Sequence, residues 1–478
     1  MVVRGVPERL ARDGWWLDDM PARRSVRWGP GMLLLAALVM ADALLWDVST
    51  GLGLVVWIIM LAMAAQIALW DRADRRRSLV AWAVLLLALI PAVDLVQALS
   101  VLFAVLGLFA FAAILSLGRA EVPAILRAML RFPVAAMARN FHDVRHVRGA
   151  LPEPGAIRGA LRDWVVPLGV GGVFLVLMAV ANPVVDDWLR GLSDLEPGLS
   201  LPFGRFVFWV AVLCLVWPFL RLTALSEVLG RAPTARAIRW RSGLLNDRSV
   251  LRALVLFNLI FAVQTLLDAG YLWGGVALPD GMTYADYAHR GAYPLLATAL
   301  LAGLFALLAQ PFLEARPVLR ALLYLWVAQT ILLVISSILR LDLYVDAYGL
   351  TRLRFAAVIW MVLVALGLVL MIMQMVGRES VGWFMLRAAG LGLTALYAVS
   401  LVNVDGLIAR HNLAAGKQDY WYLCQLSEGV VVAAAPYQPI PCYSFGFPTL
   451  STPDDWREWG FRNARLRRSL AAMNEVQG

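Results

Sequence analysis

Long uninterrupted apolar runs, separated by short polar connectors, dominate this chain. A helix that crosses about 30 Å of hydrocarbon needs about 20 apolar residues, and the runs are of that length. They are Met32–Trp46, Leu52–Trp70, Leu79–Ser100, Val101–Leu117, Trp164–Ala181, Phe203–Leu222, Val250–Ala269, Ala292–Phe312, Ala321–Leu339, Phe355–Val376 and Val381–Val402. The third and fourth must be two spans, because one helix through both would be about twice too long. Pro91 and Asp94 mark the expected bend between them. The pattern predicts an all-α, polytopic transmembrane helical bundle of about eleven spans. Its expected parts are a cytoplasmic tail (1–31), spans one to four (32–118), a cytoplasmic amphipathic connector (119–163), spans five to eleven (164–403) and a small extracytoplasmic C-terminal module (404–478).

The connectors set the orientation. Cytoplasmic loops carry the excess of Lys and Arg. With the N-terminus inside, the odd connectors should be poor in these residues. Segment 47–51 has none, 183–202 has Arg190 against Asp186, Asp187, Asp194 and Glu196, and 270–291 has Arg290. The even connectors are basic. Arg72, Arg75, Arg76 and Arg77 fill 71–78, eight arginines lie in 119–163, and Arg231, Arg236, Arg239, Arg241 and Arg248 lie in 223–249. Arg352 and Arg354 fall on the outer side, where they need partners or a function. Trp46, Trp70, Trp164, Trp209, Trp217, Trp273 and Trp383 sit near run ends, the headgroup level that indole prefers; packing between helices explains a single Trp equally well.

Composition agrees with the pattern. The chain is 61% hydrophobic and 16% charged, with a mean hydropathy of +0.73, against roughly 45–50% and about 25% in soluble domains. The net charge of +9 comes from arginines in the connectors, so it reads as a topology signal rather than a nucleic-acid surface. The first thirty residues are a charged tail with no cleavable signal. In the 119–163 connector, Val122–Arg139 sets Ile125, Leu126, Met129, Leu130 and Phe132 among Arg127, Arg131 and Arg139. This is the pattern of a helix lying on the inner leaflet. Membrane lipids are therefore the expected partners. No internal repeat supports an inverted-repeat transporter.

Chemistry-bearing residues are sparse. There is no P-loop, nucleophile elbow or zinc-protease helix. His142 and His146 have helical metal spacing but no third ligand, so no metal and no cofactor is expected. Cys214 lies mid-span. Cys424 and Cys442 would close a disulfide in an oxidising compartment, worth about 3 kcal/mol on the chain-entropy model; otherwise they are two thiols. Span seven carries Gln264, Asp268 and Tyr271 on one face, and span nine carries Gln329, Ser336 and Arg340. Asp268 and Arg340 fall at similar depth, which suggests either a packing ion pair or part of a ligand site. Two outer connectors extend the patch. One brings Tyr284, Tyr287 and Arg290; the other brings Asp342, Asp346, Tyr348, Arg352 and Arg354. Arginine beside aspartate and tyrosine suits an anionic headgroup or sugar phosphate, or else a plug in which the charges neutralise one another.

The segments from Gln264 to Leu295 and from Arg340 to Arg354 resemble the bacterial membrane-protein family catalogued as domain of unknown function 4173. Asn403 to Leu413 is similar to the same family's post-membrane segment, with Val404 and His411 departing from its usual proline and tyrosine. The resemblance covers roughly 250–415 and implies no activity and no catalytic residues. Three readings stay open for an inner-membrane protein with a periplasmic C-terminus. The preferred one is a protein of unassigned activity binding a small anionic or lipid ligand on its outer face. A transporter would need a polar path through Gln66, Asp94, Gln97 and Gln374. A lipid-linked glycosyl- or phospho-transferase would use outer carboxylates such as Asp47, Asp186, Asp187, Asp342 or Asp346. Oligomeric state is not legible.

Overall fold

The computed structural model describes residues 30–69, 74–117, 121–149, 203–222, 225, 229, 246–270, 284–312, 317–417, 419–442 and 446–477, with backbone alone at 30, 144–149, 203, 284–296, 311, 474, 476 and 477. The N-terminal tail, the run Trp164–Ala181, the connector 183–202 and most of 223–249 lie outside them. The described residues are helical, with no strand. The helices are α1 (Pro30–Leu45), α2 (Leu52–Ala68), α3 (Arg75–Asp94), α4 (Ala98–Leu117), α5 (Val122–Gly149), α6 (Phe203–Leu220), α7 (Asp247–Asp268), α8 (Tyr284–Ala309), α9 (Pro317–Tyr348), α10 (Arg352–Val376), α11 (Val381–Ser400), α12 (Val404–Ala414), α13 (Tyr420–Leu423), α14 (Val431–Ala434) and α15 (Phe461–Gln477). Six of them, α3, α4, α7, α9, α10 and α11, are long and apolar enough to cross a membrane; α1, α2, α6 and α8 supply shorter apolar segments. Ten of the eleven predicted runs therefore appear as helix, and the protein is a polytopic helical bundle.

The chain forms two compact units, residues 1–88 with 104–232 and residues 89–103 with 233–478. In the first, α1, α2 and α6 pack together. Asp42 of α1 accepts from Arg205 Nε (2.8 Å), Arg205 Nη2 (2.5 Å) and Trp209 Nε1 (2.8 Å) of α6. The α5 helix lies against α6 through Phe132 and Phe219, ring centres 4.9 Å apart. Asp143 of α5 accepts from Arg139 Nε and Trp217 Nε1 at 2.9 and 3.0 Å. The opposite edge of α5 exposes Leu126, Leu130, Val134, Met137 and Phe141, an apolar stripe at helical spacing. The predicted amphipathic helix thus runs ten residues beyond Arg139, to Gly149.

In the second unit α9 is central, with α7, α8 and α10 packed against it. Its Trp326 ring meets Phe257 and Phe261 of α7 and Phe305 of α8 at 5.2–5.8 Å. The α9 helix has 32 residues, about 48 Å at 1.5 Å per residue, longer than the hydrocarbon core. The sequence pattern ends this span at Leu339 and begins a connector; the helix continues to Tyr348 instead. Leu341 and Val345 remain buried, so the core-facing stripe persists at four-residue spacing while only the outward face turns polar.

A three-residue turn then reverses the chain into α10. Gly349 has φ +79° and its N–H donates to Val345 O at 2.7 Å, the left-handed termination that glycine permits. Thr351 caps α10 by accepting from Arg354 N at 3.3 Å. A second difference concerns α3 and α4. The runs divide at 100/101, whereas the helices break at 95–97. Ser100 explains the start of α4: its hydroxyl accepts from Gln97 N (2.7 Å) and donates to Gln97 O (2.8 Å). Beyond α11, the helices α12 to α15 and their connecting turns form a small cap on the second unit.

Candidate functional site

Five stretches of chain meet at the capped end of the second unit. They are the α3–α4 break, the start of α10, the α11–α12 corner, the turn Glu428–Val430 and the first turn of α15. A cleft of about 360 Å³ opens between them, lined by Gln97, Arg352, Asn403, Asp405, Glu428 and Asn463 among others. That volume is near the lower end of the ~300–1,000 Å³ typical of small-molecule sites.

Local geometry builds the walls. Asn403 precedes α12 and caps it, accepting from Gly406 N at 3.1 Å, while its Nδ2 donates to Gly429 O at 2.8 Å. It fits because two glycines flank it: a Cβ on Gly406 or Gly429 would come within 2.4 Å of the Asn403 amide. Asp405, two residues on in the first turn of α12, receives Arg352 Nε and Nη2 at 2.7 and 2.5 Å and Ser427 N and Oγ at 2.9 and 2.5 Å. Burial alone would raise the Asp405 carboxyl; the Arg352 guanidinium and the Ser427 hydroxyl and amide outweigh it and hold the carboxyl below its ordinary range. The Asp405 side chain is 9% exposed and that of Arg352 is 52% exposed, so the acid forms the floor and the guanidinium the mouth.

On the other wall Arg462 donates to Asp94 Oδ2 from Nε and Nη2 at 2.9 and 2.6 Å and to Ser400 O at 2.8 Å. Gln97 Nε2 donates to the same Ser400 carbonyl at 3.0 Å. Glu428 accepts from Asn463 Nδ2 (2.6 Å), Ser451 N (2.8 Å) and Ser451 Oγ (3.1 Å). Two arginines are therefore set against three carboxylates, Asp94, Asp405 and Glu428. Cys424 and Cys442 are bonded, with Cα atoms 5.9 Å apart, within the same cap.

Of the expected ligand residues whose side chains are described, only Arg352 lines this cleft. Arg340 and Asp268 pair with each other, their side chains 4% and 2% exposed, and Gln264 Nε2 donates to the same carboxylate at 2.9 Å. Burial removes this pair from any solvent-facing wall. Arg354 bonds the Tyr348 carbonyl at 3.0 Å and the Gly349 carbonyl, with its guanidinium 4.3 Å from the Tyr344 ring centre. Arg352 and Arg354, the two arginines that the charge rule left awkward, thus both have partners. Asp342, Asp346 and Tyr348 are exposed on the last turns of α9, outside the cleft lining. The side chains of Tyr284, Tyr287 and Arg290 lie outside the described residues. Asp405, Glu428, Arg462 and Asn463 were not singled out from sequence. Asp405 carried a local signal, an acid in the first turn of a helix opened by Asn403; Arg462 carried none, since its partner Asp94 is 368 residues away.

Each residue of the supposed polar path has at least one hydrogen-bond partner. Gln66 Nε2 donates to Ser78 Oγ at 3.2 Å, Gln374 bonds Glu379 O and Gln310 at 2.6 Å, Gln97 lines the cleft and Asp94 pairs with the lining residue Arg462. Among the outer carboxylates, Asp186 and Asp187 lie outside the described residues.

Fold and site together define a polytopic helical membrane protein whose second unit carries a small C-terminal cap with a polar cleft beneath it. The chain belongs to the family described as Domain of unknown function (DUF4153), whose model matches residues 78–436. This corrects the family number suggested by the sequence resemblance, while the expectation of a family without an assigned activity holds. The match takes in Asp94, Gln97, Arg352, Asn403, Asp405 and Glu428 and stops short of α15, which supplies Arg462 and Asn463. No curated protein and no solved structure matches the chain.

Proposed function

We propose that this is a binding protein of the bacterial inner membrane, with its N-terminus in the cytoplasm and its cap in the periplasm. Its cleft takes the headgroup of a lipid. The carrying observation is the charge balance of the cleft. Of the two ligand classes expected from sequence, a small free anion is the poorer fit, because every cleft arginine already faces an aspartate and Glu428 adds a third carboxylate. A hydroxyl-rich or zwitterionic headgroup carries donors and acceptors for both Arg352 and the Glu428–Asn463 wall. The orientation is supported by the arginine count of the connectors, and the bonded cysteines suit an oxidising compartment.

Two experiments test the reading. Alkaline phosphatase fused after residue 285 and after residue 470 should be active at both positions; activity at one alone would separate the outer connectors from the cap. For the cleft, Val402→Cys in a Cys214→Ser background supplies a maleimide target in the lining that leaves the polar wall intact. In nanodiscs, phosphatidylethanolamine should slow labelling roughly tenfold relative to phosphatidylglycerol, equivalent to about 1.4 kcal/mol of discrimination. Equal rates in the two lipids would reject the headgroup assignment.

A further inference from the structure

A second cavity, sharing no residue with the polar cleft, lies within the spanning part of the second unit. It is an apolar groove of about 300 Å³ between α8, α10 and α11, lined by Gly303, Trp360, Gly367, Met371, Phe384 and Gly392 among others. Glycine in a membrane span usually lets two backbones close on each other. Here it does the reverse: a Cβ on Gly367 or Gly392 would meet nothing within 4 Å, and one on Gly303 only the Met371 and Leu368 side chains at 3.8–3.9 Å. The glycines leave the groove open between helices of which α10 and α11 are largely uncovered by protein.

The dimensions and the chemistry at one end suggest what fills it. From Trp360 to Met371 the groove follows α10 for about 16 Å at 1.5 Å per residue, half of a ~30 Å hydrocarbon core and so one leaflet deep. Its α11 wall begins at Phe384, beside Arg387. The Arg387 guanidinium lies 3.8 Å from the Trp383 ring centre, turned back towards the Val381 end of the helix. A cation two turns inside a span is expensive unless it reaches the headgroup level and meets a counter-charge.

We propose that this groove is a phospholipid site: one acyl chain lies along Gly303, Gly367 and Gly392, and the lipid phosphate sits on Arg387. An anionic lipid is the preferred occupant, because Arg387 flanks the groove next to Ala388 and, among the described residues, contacts an aromatic ring rather than a carboxylate. On the arginine-count topology this is a lipid of the cytoplasmic leaflet. The site stands independently of the headgroup cleft.

The test is native mass spectrometry of the full-length protein, delipidated in detergent and titrated with phosphatidylglycerol or phosphatidylcholine. The wild-type chain should retain one tightly bound lipid, with phosphatidylglycerol favoured about tenfold. Arg387→Ala should abolish the preference while leaving a lipid bound. Gly367→Leu should fill the groove and remove binding of both lipids; Gly392→Leu does the same from the facing helix should the first variant fail to fold. Unchanged stoichiometry and preference in Arg387→Ala and in a folded groove-filling variant would overturn the proposal. So would a wild-type dimer that Gly367→Leu converts to monomer, since the groove would then hold a second copy of the chain.

Discussion

Replacing Asp268 by alanine tests whether the Asp268–Arg340 pair serves packing or ligand binding. Both side chains are nearly inaccessible, at 2% and 4% exposure, so water cannot take the place of a lost partner. Removing the carboxylate leaves the Arg340 guanidinium buried beside Gln264, whose Nε2 loses its 2.9 Å acceptor. Breaking a buried pair from one side costs about 3–5 kcal/mol, whereas replacing both charges by apolar groups of similar volume is often neutral or stabilising. Asp268→Ala should therefore lower stability by roughly 3–5 kcal/mol, and Asp268→Leu with Arg340→Met should recover most of that loss. Reversible unfolding in mixed micelles, followed by tryptophan fluorescence, measures both; Trp326 lies in the same helix as Arg340. Lipid protection of the maleimide target in the Val402→Cys reporter should be unaffected by the double substitution. A double variant no more stable than Asp268→Ala would refute the packing argument. One that folds like the wild type but loses lipid protection would return the pair to the binding site.

Asn412 holds the α9–α10 turn, accepting from Leu350 N at 2.6 Å and donating to Leu350 O at 2.9 Å. Asn412→Ala should destabilise by about 2–3 kcal/mol, the cost of leaving these buried backbone groups unpaired, read in the same unfolding assay. Gly349→Ala should also destabilise, because φ is +79° and the new methyl would lie 3.0 Å from Asn412 Oδ1. Cys424→Ser should weaken the cap by about 3 kcal/mol on the chain-entropy model. It should speed proteolysis after residue 403, and a reductant should do the same to the wild type. The Asp405 carboxyl is held below its ordinary range, so its contribution is fully present above the unfolded carboxylate value of about 4 and is lost as pH falls through the lowered value. Cap protection should hold from neutral pH to about 4 and decline only below that; a decline centred near pH 6 would point to another group.

Much of the fold was legible because the membrane imposes a coarse rule. Each crossing needs a continuous apolar segment, so the runs could be read without knowing what they pack against. Their ends were less legible. The apolar run stops at Leu339, but α9 continues because Leu341 and Val345 keep a dry stripe on one side of an otherwise polar stretch. The partition of α3 and α4 likewise turned on the hydroxyl of Ser100, a single residue inside an apolar run. The candidate site was legible only at Arg352. The misfit of that arginine with the charge rule marked it as needing a partner, but nothing local indicated that the partner was Asp405.

The sequence by itself determined a polytopic helical membrane protein, because hydrocarbon tolerates only backbone that satisfies its own hydrogen bonds along long apolar segments. That constraint acts residue by residue and is written locally. Tertiary structure alone decided which charges meet. Arg462 reaches Asp94 across 368 positions, and Asp405 takes Arg352 and Ser427 from two other segments. Such pairings depend on how the cap docks and on burial that makes an unpaired charge costly, and neither is encoded in the spacing of residues along the chain.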